Sequence, residues 1–129
     1  MTCPRRTLFP ALLALLLCCF AVGSALALDS PAKEEVDYLI DTVAKADARF
    51  IRNGKEYSSQ EGADHLKSKL GQAGNRVKTA EDFIQGIGTK SYLSGQPYLM
   101  KNKDGTTTEV GPWLTKALEK YRSEKQKGS

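Results

Sequence analysis

The chain has 129 residues, with 19 lysines and arginines against 15 aspartates and glutamates and a single histidine, a length that supports one domain and excludes two. The basic excess is small and shrinks further without Arg5 and Arg6, so charge gives no reason to invoke nucleic acid as a partner. All three cysteines, Cys3, Cys18 and Cys19, lie near the amino terminus, so the remainder can hold neither a disulfide framework nor a cysteine-ligated metal.

Residues 1–27 read as a signal peptide cleaved after Ala27. Arg5 and Arg6 form a positive n-region, Ala11 to Val22 is an unbroken apolar run, and Ala25-Leu26-Ala27 supplies the small residues of a cleavage site. A spanning helix needs about 20 apolar residues, and Pro10 and Gly23 bracket this run short of that. Leu17 before Cys18 does not fit a lipoprotein site, and the residues that usually accompany a twin-arginine signal are absent around Arg5-Arg6. The expectation is a periplasmic or secreted protein, with a globular domain over 28–122, a flexible polar tail over 123–129 and no membrane span once the signal is removed.

Ser30-Pro31 reads as an N-cap with proline at the first helical position, and Val36, Leu39, Ile40 and Val43 follow at helical spacing, which predicts a helix over 31–48. Asn53-Gly54 then marks a two-residue hairpin turn, because both positions of a type I′ turn need positive φ. That register sets Phe50 opposite Tyr57 and Arg52 opposite Lys55, a like-charge pair. Ser58 and Glu61 form a capping box that opens a second helix with Ala63, Leu66, Leu70 and Ala73 inward, ending near Gly74. Thr79 caps a third, short helix whose apolar face is Ala80, Phe83, Ile84 and Ile87. The runs 97–101 and 106–110 flank Lys103-Asp104-Gly105 as a second hairpin, and Pro97 suggests that its first strand lies at a sheet edge. Gly111-Pro112 opens a last helix with Trp113, Leu114, Ala117, Leu118 and Tyr121 on one stripe. About four helices and two short hairpins make an α+β, helix-dominated single domain.

Taken together, Phe50-Ile51-Arg52-Asn53-Gly54, Tyr57, Ala63, His65-Leu66, Lys69, Arg76, Thr79-Ala80-Glu81, Phe83-Ile84, Ser91, Ser94-Gly95 and Pro97-Tyr98 resemble a family of small exported bacterial proteins known as a domain of unknown function. The resemblance runs from about Val36 to Tyr121. It implies a bacterial envelope or secreted protein and brings no reaction with it. Gly62 stands where the family pattern has alanine, at a cost of up to about 1 kcal/mol for glycine inside a helix.

Few catalytic constellations survive inspection. No Gly-x-Ser-x-Gly elbow accompanies His65. Ser30-Pro31-Ala32-Lys33 matches Ser-x-x-Lys but lacks its partner motifs, and Gly86 to Ser91 lacks the glycine before lysine of a phosphate loop. One histidine and scattered carboxylates do not make a metal site, and no cofactor is called for.

His65 lies about 120° from the centre of the apolar face of its helix, with Lys69 and Gln72 on the same stripe and Arg76 near its end. A row of donors beside the Arg52 turn suits a carboxylate or phosphate, and equally a solvated charged face with His65 hydrogen-bonded to the hairpin. The segment Ser91 to Tyr98 offers either a shallow ligand site or a packed loop in which Tyr92 and Tyr98 cover the core. The first expectation is therefore a non-catalytic periplasmic protein that binds an envelope component or a partner protein through Arg52, Tyr57, His65, Lys69, Gln72 and Tyr98. The alternative is a small envelope hydrolase or lyase with His65 as general acid or base and Lys69 or Arg52 holding negative charge. A third reading uses the second hairpin's edge for strand addition to a partner.

Overall fold

A computed structural model describes residues 28–129, and the expected signal peptide lies outside the described residues. Helix α1 (Ser30–Ala44) buries Val36, Leu39, Ile40 and Val43 as their spacing requires. Its N-cap is Asp29 rather than Ser30: the Asp29 carboxylate accepts from the Ala32 amide at 3.0 Å, and Pro31 follows inside the first turn. The helix ends at Ala44, short of the expected 48, because Ala48 already belongs to a strand and the Ser59 hydroxyl donates to the Ala44 carbonyl at 3.0 Å.

Strands β1 (Ala48–Arg52) and β2 (Lys55–Ser58) pair antiparallel in the expected register, Phe50 with Tyr57 and Arg52 with Lys55. Asn53 and Gly54 take φ of 51° and 75°, the left-handed pair that a type I′ turn demands. The Ser58–Glu61 capping box forms in both directions, at 3.1 and 2.8 Å, and starts α2 (Ser59–Ala73) directly from the end of β2. Gly74 ends it, and a single 3-10 turn, Gly74–Arg76, leads on. Helix α3 (Ala80–Phe83) begins at the Thr79 cap and widens into a π turn over Ile84–Gly88. All four expected apolar residues of this segment are buried.

Strands β3 (Leu99–Asn102) and β4 (Thr107–Glu109) form the second hairpin, and α4 spans Val110–Lys127. The two hairpins join into one antiparallel sheet of order β2-β1-β3-β4. The expectation that Pro97 marks an edge strand is therefore corrected: β3 is interior, paired with β1 on one side and β4 on the other. Pro97 is tolerated because it sits before the ladder, in an isolated bridge with Lys90. Helix α4 also continues through 123–127, which the sequence reading assigns to the polar tail. Lys125 in this stretch pairs with Glu34, and Arg122 just before it with Glu35 and Glu81, at 2.5 to 2.6 Å, tying this end of α4 to α1 and α3.

The helices cover one face of the sheet, with Phe50, Tyr98, Met100, Leu39, Leu66, Phe83 and Leu114 in the core between. The result is an α+β domain of four helices and two hairpins. No helix among the described residues is long and apolar enough to cross a membrane.

Gly62 corrects the sequence reading in a second way. A Cβ at Gly62 would stand 2.6 Å from Cδ2 and 2.7 Å from Cβ of Phe50, so the missing side chain is the space into which the Phe50 ring packs. Glycine here is required by the close approach of β1 to α2.

Candidate functional site

Strand alternation places Arg52 on the same face as Phe50, toward α2, at the mouth of the hairpin. Its guanidinium carbon lies 5.4 Å from the centre of the Tyr57 ring, and its Nη1 lies 2.8 Å from Nδ1 and 3.3 Å from Nε2 of His65, against both ring nitrogens. Nε2 is also in hydrogen-bond reach of Tyr98 Oη, at 3.1 Å. Tyr98, 1% exposed, packs edge-on against His65 and stacks at 5.2 Å on Phe50, so only its hydroxyl enters the site. One turn along α2, Lys69 Nζ donates to the same hydroxyl at 3.0 Å and to the carbonyls of Ile87 and Lys90 at 3.0 and 3.1 Å.

Four donor-rich side chains thus converge without a countercharge. Among the described residues neither Arg52 nor Lys69 has a carboxylate within 4.0 Å, whereas Arg49, Lys101, Arg122 and Lys125 are paired. The acid lining the cavity beside Arg52 is Glu61, whose carboxylate is held by the Ser58 amide in the capping box. Burial, then Arg52 and Lys69, hold the His65 pKa below its ordinary value and keep the ring neutral. Burial and then Arg52 lower that of Lys69. Burial raises that of Tyr98 against the opposing pull of Arg52, so Tyr98 remains a phenol.

Two cavities follow one another along one face of α2. The smaller, of about 260 Å³, is lined by Phe50, Arg52, Tyr57, Glu61, Gly62 and His65. The larger, of about 770 Å³, runs between α2 and the π turn past Lys69, Gln72, Arg76 and Ile87, with Tyr92 and Leu93 at its rim. The six expected binding residues are therefore divided: Arg52, Tyr57 and His65 line the first cavity, Lys69 and Gln72 the second, and the Tyr98 hydroxyl bridges them through His65 and Lys69. Arg76 donates to the Ala73 and Gln72 carbonyls and closes the end of α2. Among the described residues no His, Cys, Asp or Glu group converges as a metal site.

Residues 30–122 match the family described as a family of unknown function, DUF5329. The chain belongs to this family. A stretch of 54 residues is 43% identical to the uncharacterized protein YfeK of Salmonella typhimurium, covering 42% of this chain and 45% of that relative. No solved structure matches it.

Sequence reasoning places His65, Lys69 and Gln72 on one stripe but misses two features of this DUF5329 site. Glu61 lines the Arg52 cavity, which its capping role conceals. Tyr92 and Leu93 are 79% and 97% exposed, so Tyr92 does not cover the core as Tyr98 does. The 91–97 loop is nonetheless fixed: Ser94 bonds the Asn53 side chain at the hairpin turn, and Ser91 and Gln96 bond across it at 3.0 Å.

Proposed function

We propose that this protein is an exported, non-catalytic binding protein whose ligand presents an anionic group to Arg52. The observation that carries this reading is a guanidinium that has no carboxylate partner among the described residues and rests instead against a neutral imidazole. An oxyanion is a stronger acceptor for arginine than a neutral ring, because charge-assisted bonds are roughly twice as strong as neutral ones. The mouth is small and half apolar, with Tyr57 and Phe50 beside the cation, which suits a carboxylate or phosphate on a larger envelope molecule. The hydrolase or lyase reading has less support. Both ring nitrogens of His65 are engaged, by Arg52 and Tyr98, and no nucleophile or carboxylate contacts the ring.

The experiment is a titration of the folded protein with sodium sulfate and, separately, sodium acetate, followed by amide chemical shifts. Saturable shifts are expected at Arg52, Tyr57, Gly62 and His65. Arg52→Gln is expected to weaken binding at least about tenfold, since a hydrogen bond to a charged group contributes about 1.5–3 kcal/mol. Shifts that grow without saturating, or that are unaltered by Arg52→Gln, contradict the reading. Export rests on residues 1–27 and is read from the mass of the protein recovered from the periplasm or the medium, which starts at Leu28 if cleavage follows Ala27.

A further inference from the structure

Resting on the anion-binding reading, we propose that an oxyanion held between Arg52 and His65 carries a proton with it, so that binding at the β1–β2 hairpin is coupled to protonation of His65. Arg52 Nη1 lies 2.8 Å from Nδ1 and 3.3 Å from Nε2, and Tyr98 Oη lies 3.1 Å from Nε2. An oxyanion entering the cavity draws the guanidinium onto itself and leaves the ring facing a negative charge. The ring then takes one proton from water at its unprotonated nitrogen and donates an N–H to the anion in a hydrogen bond. The Arg52–His65 hydrogen bond is replaced by Arg52 to oxyanion and His65 to oxyanion, and no covalent bond other than that to the proton changes.

The groups facing His65 favour this exchange. Arg52 from β1 and Lys69 from α2 are cations, and they oppose a charged ring only while nothing negative stands between them and it. Tyr57 from β2 and Tyr98 before β3 contribute neutral phenols, and Lys55 stands across the turn from Arg52. Glu61 on α2 lines the cavity, with its carboxylate turned to the Ser58 amide. An added anion therefore supplies a countercharge to Arg52 and to the protonated ring at once. The same geometry makes the ring a sensor: a lower pH favours the bound state, a higher pH releases the anion.

Sulfate keeps its charge across the useful range, so the pH dependence of its binding reports the protein alone, and acetate serves as the carboxylate arm above pH 6. Affinity is expected to rise as pH falls from 8 to 6, with a slope of at most about tenfold per unit. Calorimetry near pH 7 in two buffers of different ionisation heat is expected to show net proton uptake on binding. In His65→Gln both the slope and the uptake vanish. The anion that binds more tightly identifies a tetrahedral or a planar ligand group. Saturable binding with no pH slope and no proton uptake overturns the coupling and leaves the anion site standing, whereas absence of saturable binding at every pH overturns both.

Discussion

Replacing Gly62 by alanine is expected to destabilise the domain by about 1–3 kcal/mol, the usual cost of forcing an extra carbon into a packed core. Helix propensity alone gives the opposite sign, since alanine is favoured over glycine by up to about 1 kcal/mol inside a helix. Packing wins because the added carbon meets the root of the Phe50 ring at 2.6 to 2.7 Å, and Phe50 is held on both sides by strand pairing. Gly71 is the internal control. It lies in the same helix with nothing within 4 Å of the place its Cβ would take, so Gly71→Ala is expected to stabilise by up to about 1 kcal/mol. Urea unfolding of the two variants measures both, and the same sign for both would contradict the close approach of β1 to α2.

Lys69→Met is expected to cost about 1–2 kcal/mol, the lower part of the range for leaving acceptors unsatisfied, since those of Ile87 and Tyr98 are part-buried and that of Lys90 is exposed. Methionine keeps most of the packing of the stem and removes only the ammonium, which donates to Ile87, Lys90 and Tyr98. Two of those acceptors are carbonyls in and just beyond the π turn, whose geometry leaves them outside ordinary helix pairing. Lys69→Arg is expected not to restore stability, because a planar fork cannot reproduce three bonds converging on one nitrogen. Hydrogen exchange should rise over residues 84–98 in Lys69→Met. A change within about 0.5 kcal/mol, typical of a solvated surface charge, contradicts this role. On this account Lys69 holds the wall of the site, and Arg52 meets the ligand.

Local signals in the sequence were enough for most of the elements. Asn53-Gly54 and the Ser58–Glu61 box each act over a few residues, and both stand where their chemistry requires. Long-range pairing had no such signal. Whether β1 would find β3 depends on Phe50 facing Met100 across chain separated by the whole of α2 and α3, and nothing in either strand states it. Pro97 misled for the same reason: its missing amide is harmless just outside the ladder, a boundary of two residues. Helical periodicity put His65 and Lys69 on one stripe, yet it could not show that Tyr98 rises from the core between them, nor that Lys69 spends all three donors on internal oxygens. Gly62 read as a weakness because the aromatic ring that needs its space belongs to another element.

The central claim is that Arg52 stands against a neutral His65. Nitrogen-15 spectroscopy of the imidazole tests it most directly, and with a single histidine in the chain the signals need no assignment. The account predicts a neutral ring at pH 7 and a titration midpoint below that of an unperturbed histidine, about 6.5. The sign for stability follows: this contribution is full above about pH 6.5 and is lost as pH falls through the depressed folded value. In Arg52→Gln the midpoint should move upward. A ring that titrates at its ordinary value or ignores Arg52→Gln would contradict the account.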